Sequence, residues 1–90
     1  MSALEDYQGR VEGLLIEAED YLSSSQIREP WNLVKHGEPA EGLAMLAWVI
    51  SEGRIPVDRH IIEGIRSMTE GLVESDDLPS DLDTWALPTT

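Results

Sequence analysis

Apolar residues recur at helical spacing in four stretches of the chain. Over residues 3–22, Leu4, Tyr7, Val11, Leu14, Leu15, Ala18 and Leu22 follow the i, i+3, i+4, i+7 rhythm of a helix with one buried face. Ser2 is a candidate N-cap, with Glu5 three residues on as its capping-box partner. Gly9 and Gly13 lie inside this stretch, and each weakens a helix by roughly 1 kcal/mol relative to Ala. Being four apart they share a face, which is either locally softened or open to a closely approaching backbone.

Ser23, Ser24 and Ser25 interrupt the rhythm and offer an N-cap. Ile27, Trp31 and Val34, with Leu33 alongside, restart it. Pro30 suits a first helical turn and not an interior. The second helix therefore begins near Arg28 or Glu29, or at Ser25 with Pro30 just past the first turn. Gly37 ends it in the C′ role. Pro39 suits the N1 position of a third helix, and residues 43–50 are apolar nearly all round, which predicts a central helix closed by Gly53. Asp58, or else Val57 or Pro56, starts a fourth, whose stripe is Ile61, Ile62, Ile65, Met68 and Leu72 and whose end is expected near Val73 or Glu74. His60 and Arg66 fall off the stripe. No stretch alternates with the period of a strand. The prediction is an all-α fold, a small antiparallel bundle of about four helices over residues 1–74.

Residues 75–90 differ in kind. Asp76, Asp77, Asp81 and Asp83 are interleaved with Leu78, Leu82, Trp85 and Leu87, with no Lys or Arg. Pro79 followed by Ser80-Asp81-Leu82-Asp83 suits one short helical turn. The apolar residues favour an acidic, Trp-containing C-terminal tail docked on the bundle, at least through Trp85; the alternative is an acidic-hydrophobic disordered segment.

Charge changes the picture more than composition does. Eighteen acidic residues face six basic ones in 90, for a formal net charge of −12. Charge of this size opposes compaction by self-repulsion and disfavours nucleic acid and anionic membranes, which bind through Lys and Arg. A basic protein is the complementary partner. The 41% apolar content suffices for one small core, and the absence of cysteine leaves no disulfide or thiolate–metal site. The N-terminus lacks the basic and apolar regions of a signal peptide, and the longest apolar run is far short of a membrane span, so a cytoplasmic protein is expected.

Residues with chemistry to offer are few. His60 and Glu63 form one His-x-x-Glu pair and His36 falls at a helix end, but no Glu-x-x-His occurs; both histidines read as solvent-facing, with no metal and no cofactor. There is no Gly-x-Ser-x-Gly and no glycine-rich phosphate loop. No catalytic residue is assigned and no enzyme is expected. The acids gather at the chain ends: Glu5, Asp6, Glu12, Glu17, Glu19 and Asp20 in the first 25 residues against Arg10 alone, and Glu70, Glu74, Asp76, Asp77, Asp81 and Asp83 in the last 24 against no base. If helix one lies beside the end of helix four, the two sets merge into one patch; otherwise they are an ordinary solvated surface.

The segment Leu33-Val34-Lys35-His36-Gly37-Glu38-Pro39-Ala40-Glu41-Gly42-Leu43-Ala44-Met45-Leu46-Ala47-Trp48-Val49-Ile50, followed by Ile55, Ile61, Ile65 and Met68, resembles the small helical immunity proteins of bacterial polymorphic toxin systems, the MafI-like group. The resemblance spans roughly residues 30–73: an apolar helix end, a short turn, then a strongly apolar helix. Gly42 stands where that pattern more often carries a larger residue. What the resemblance implies is an inhibitor that neutralises a cognate toxin domain, often a nuclease. An acidic surface suits that role, because a nuclease site is basic and complementary charge speeds encounter. The contacts expected on this chain are Glu17, Asp20, Glu74, Asp76 and Asp77, with Glu38 at the turn between helices two and three. Trp85 is either a further anchor or, more simply, packed on the body. Two other readings share the sequence: an acidic nucleic-acid mimic that blocks a DNA-binding or defence protein, and a helical adaptor or oligomer subunit. A monomer and a dimer both remain open.

Overall fold

A computed structural model describes residues 3–88. Its four helices are α1 (Ala3–Ala18), α2 (Ser24–Lys35), α3 (Pro39–Gly53) and α4 (Arg59–Thr69), followed by two 3-10 turns, Ser75–Asp77 and Leu82–Trp85. No strand occurs among the described residues, and the chain is a small all-α bundle. The Ser2 cap lies outside the described residues.

Local chemistry sets most of the boundaries. Ser23 caps α2: its Oγ accepts from the Gln26 N–H at 3.2 Å while the Gln26 side chain accepts from the Ser23 N–H at 2.8 Å. The helix thus starts at Ser24, ahead of both starts expected, and Pro30 sits in its second turn, where the ring removes the N–H that would bond the Gln26 carbonyl. At the other end Gly37 takes φ 84°, the Glu38 N–H reaches the Leu33 carbonyl at 2.9 Å, and the Gly37 N–H reaches that of Val34 at 3.2 Å. This is the Schellman closure that glycine favours. Pro39 occupies N1 of α3, and Asp58 caps α4 by accepting from the His60 N–H at 2.8 Å.

Two ends differ from expectation. Helix α1 stops at Ala18, and Glu19–Tyr21 form a turn that still delivers Leu22 to the core. Glu17, Glu19 and Asp20 crowd a C-terminus with no basic residue in its last turn, where the helix dipole disfavours negative charge. Helix α4 stops at Thr69, whose Oγ1 bonds the Ile65 carbonyl at 2.7 Å. Gly71 then turns the chain with φ 79°, and Leu72, expected on the buried stripe, is 60% exposed. Helix α3 closes at Gly53 as expected, and the next residue, Arg54, takes the left-handed conformation (φ 52°). Gly53 serves another purpose: a Cβ there would come 2.8 Å from Ile55 Cδ1, so the glycine makes room for the isoleucine that folds back over the helix end.

The core lies around α3, whose Leu43, Leu46, Ala47 and Ile50 are fully buried. Val11, Leu14, Leu15 and Ala18 of α1, Ile27 and Val34 of α2, and Ile61, Ile62 and Ile65 of α4 close over it. Leu4, placed by its spacing on the inner face of α1, is exposed at the helix start. The tail completes the core: Leu82 is fully buried, the Val57 N–H donates to the Trp85 carbonyl at 2.9 Å, and the Leu87 N–H donates to the Val57 carbonyl at 2.8 Å. Arg66 of α4 pairs with Asp83 at 3.0 Å. No described helix is long and apolar enough to cross a membrane.

Candidate functional site

The outer face of α3 carries an unusual residue for its setting. Trp48 is 40% exposed although α3 is the central helix. Its indole is held in place, because Nε1 donates to the Asp77 carbonyl at 2.7 Å. That carbonyl belongs to the first tail turn, which is closed on itself: the Asp77 N–H reaches the Glu74 carbonyl at 2.9 Å, and the Glu74 N–H reaches Asp77 Oδ2 at 3.3 Å. The tail thereby becomes one wall of a shallow groove. Leu33 of α2, Glu41, Ala44, Met45 and Trp48 of α3, and Asp77 of the tail line it. Its volume, about 230 Å³, is smaller than a small-molecule site of roughly 300–1,000 Å³ and suits a single protruding side chain.

Of the six expected contact residues, Asp77 lines this groove, and three others are tied to its lining residues through the chain or a backbone hydrogen bond. Glu74, Asp76 and Asp77 lie on the tail turn, all exposed. Glu38, also exposed, is the N-cap of α3 and is hydrogen-bonded through its backbone to Leu33 in the groove wall. The other two lie elsewhere. Helices α1 and α4 run antiparallel: Tyr7 Oη donates to the Met68 carbonyl at 2.6 Å at one end, and Glu17 Oε2 lies 3.5 Å from His60 Nε2 at the other. Glu17 is thus ten residues, about 15 Å of helix rise, away from the end that meets the close of α4. The merged patch of Glu17 and Asp20 with Glu74, Asp76 and Asp77 does not form. The part of α1 that meets the end of α4 is its first two turns.

Trp85 is half-buried against the core, with Nε1 3.3 Å from Asp81 Oδ2, and acts in packing. The groove residues Trp48, Glu41 and Met45 did not stand out in the sequence because they lie in or beside an apolar run. The signal was present nonetheless. At 100° per residue, Glu41, Trp48 and Glu52 fall within about 40° of one another, so two acids mark the tryptophan's face as the solvent face.

Apart from half-buried Glu12, every Asp and Glu is exposed. At Tyr7, burial pushes the phenol above its usual value, against a smaller opposing pull from Arg10. Among the described residues, no three His, Asp or Glu side chains converge as metal ligands would. His36 and His60 are exposed, His36 through Nδ1 in contact with the Asn32 carbonyl at 2.6 Å. Comparison with protein-family models, with curated proteins and with solved structures returns no match.

Proposed function

We propose that this protein is a non-enzymatic inhibitor that acts in the cytoplasm by binding a basic toxin domain, of the nuclease class, through the Trp48 groove and its acidic rim. The observation that carries the reading is the pairing of a half-exposed, immobilised indole with the acids of the tail turn. A tryptophan in a pocket is the commonest kind of interface anchor, and a charged rim adds encounter speed and orientation. The net charge of −12 supports a cationic partner, and the likeness of residues 30–73 to immunity proteins supports a toxin as that partner.

The test is affinity capture from the native lysate with the wild-type chain and with the double variant Asp76→Lys/Asp77→Lys. A basic protein held at low salt, released at high salt and lost by the variant is the expected result, and the wild-type chain should then block that protein's nuclease activity. Capture of a DNA-binding protein that duplex DNA displaces would replace the reading with nucleic-acid mimicry. Self-association as the sole interaction would replace it with a structural role.

A further inference from the structure

The three tryptophans share one device, and comparing them says what the groove accepts. Each donates its indole N–H to an oxygen of an acidic residue: Trp31 to Glu19 Oε2 at 2.8 Å, Trp48 to the Asp77 carbonyl at 2.7 Å, Trp85 to Asp81 Oδ2 at 3.3 Å. Trp85 then packs into the core. Trp31 carries a cation on its ring, with Lys35 Nζ 5.5 Å from the centroid, while Glu19 supplies negative charge at its edge. At Trp48 the acceptor is a backbone carbonyl instead of a carboxylate. The acidic residues Glu41 and Asp77 line its groove, and no Lys or Arg of the described chain does.

We propose that the Trp48 groove is an arginine pocket, in which a guanidinium of the partner stacks on the indole between the Glu41 and Asp77 carboxylates. The proposal rests on the reading of this face as the one that meets a basic protein. Because the indole N–H is engaged, Trp48 offers a partner ring carbon rather than a donor, and the face of an indole attracts a cation placed over it. Arginine fits better than lysine for two reasons. Its guanidinium is planar and weakly hydrated, so it lies against the ring at low desolvation cost. Its edges present several N–H donors, which match carboxylates on the groove walls, whereas an ammonium satisfies them only as a point charge. Leu33, Ala44 and Met45 supply the apolar floor against which the methylene stem packs.

The experiment titrates the full chain with two short capped peptides of equal length, one alternating alanine and arginine, the other alanine and lysine. Affinity and the Trp48 indole N–H resonance are followed at about 0.15 M salt, where long-range attraction is screened. The arginine peptide should bind about fivefold more tightly than the lysine peptide and shift the Trp48 resonance. That preference should vanish in Trp48→Leu and, independently, in Glu41→Gln. The second variant alters an exposed side chain and keeps the test valid if the first fails to fold. Equal affinities with an unmoved Trp48 resonance would overturn the arginine pocket while leaving a basic partner for the acidic surface intact. Binding of neither peptide, even at low salt, would overturn both.

Discussion

Of the glycines in the described chain, Gly42 is the one where an added Cβ would meet a neighbouring helix most closely. A Cβ at this position would stand 2.5 Å from Val34 Cγ2 and 2.9 Å from the Pro30 carbonyl oxygen. A valine methyl can move, but a backbone carbonyl moves only with its helix. Overpacking of this kind costs roughly 1–3 kcal/mol, against about 1 kcal/mol gained by replacing a helical glycine. Gly42→Ala should therefore destabilise the fold by about 1 kcal/mol or more. Gly13→Ala should do the reverse and add up to about 1 kcal/mol, because nothing lies within 4 Å of the position. Urea denaturation of the two variants checks both signs, and a Gly42→Ala protein as stable as wild type would mean that α2 and α3 are not this tightly seated. The sequence does not separate these glycines. Spacing alone drew attention to Gly9 and Gly13, yet open space surrounds both. The close approach occurs at a lone glycine that packs against Pro30 and Val34.

At the scale of elements, α1 and α4 are joined by one buried-side hydrogen bond, from Tyr7 Oη to the Met68 carbonyl. Burial raises the Tyr7 pKa above its ordinary 10.0, with Arg10 pulling the other way. The folded state thus holds this proton more tightly than the unfolded chain does. Its contribution is complete below the unfolded value and is lost as pH rises from there through the folded value. Tyr7→Phe should cost about 0.5–1.5 kcal/mol at neutral pH and remove this part of the alkaline decline, as followed by denaturation across the alkaline range. The existence of all four helices was legible in the apolar rhythm, and the Ser23, Gly37, Pro39 and Asp58 boundaries in side-chain chemistry that acts within a few residues. The ends of α1 and α4 were not, because apolar spacing continues past them to Leu22 and Leu72 while local charge and the Thr69 back-bond stop the helices. The site was half legible. Glu38, Glu74, Asp76 and Asp77 were visible as charge, whereas the separation of Glu17 and Asp20 from them depends on the antiparallel course of α1 and α4. Trp48 was hidden by its apolar neighbours, since a period of 3.6 does not announce itself inside a continuous run.

For the whole molecule, one property acts on stability and on binding with opposite sign. The net charge is −12, and Arg66 with Asp83 and, when protonated, His60 with Glu17 form ion pairs at exposed positions. Exposed pairs contribute little, so the dominant electrostatic effect on folding is repulsion between like charges. Salt screens that repulsion over a distance of about 10 Å at 0.1 M, and shorter distances above it. Raising sodium chloride should therefore stabilise the folded chain, by an amount on the order of 1 kcal/mol, or roughly 4–8 °C in Tm for a domain of this size. The same salt should weaken capture of a basic partner, because there the charges attract. Thermal melts and partner retention measured over one salt series place both responses side by side. Stability that fell with salt would show that attraction between charges outweighs repulsion within the fold. The acidic surface would then serve the chain's own structure, and the case for a cationic partner would lose its electrostatic support.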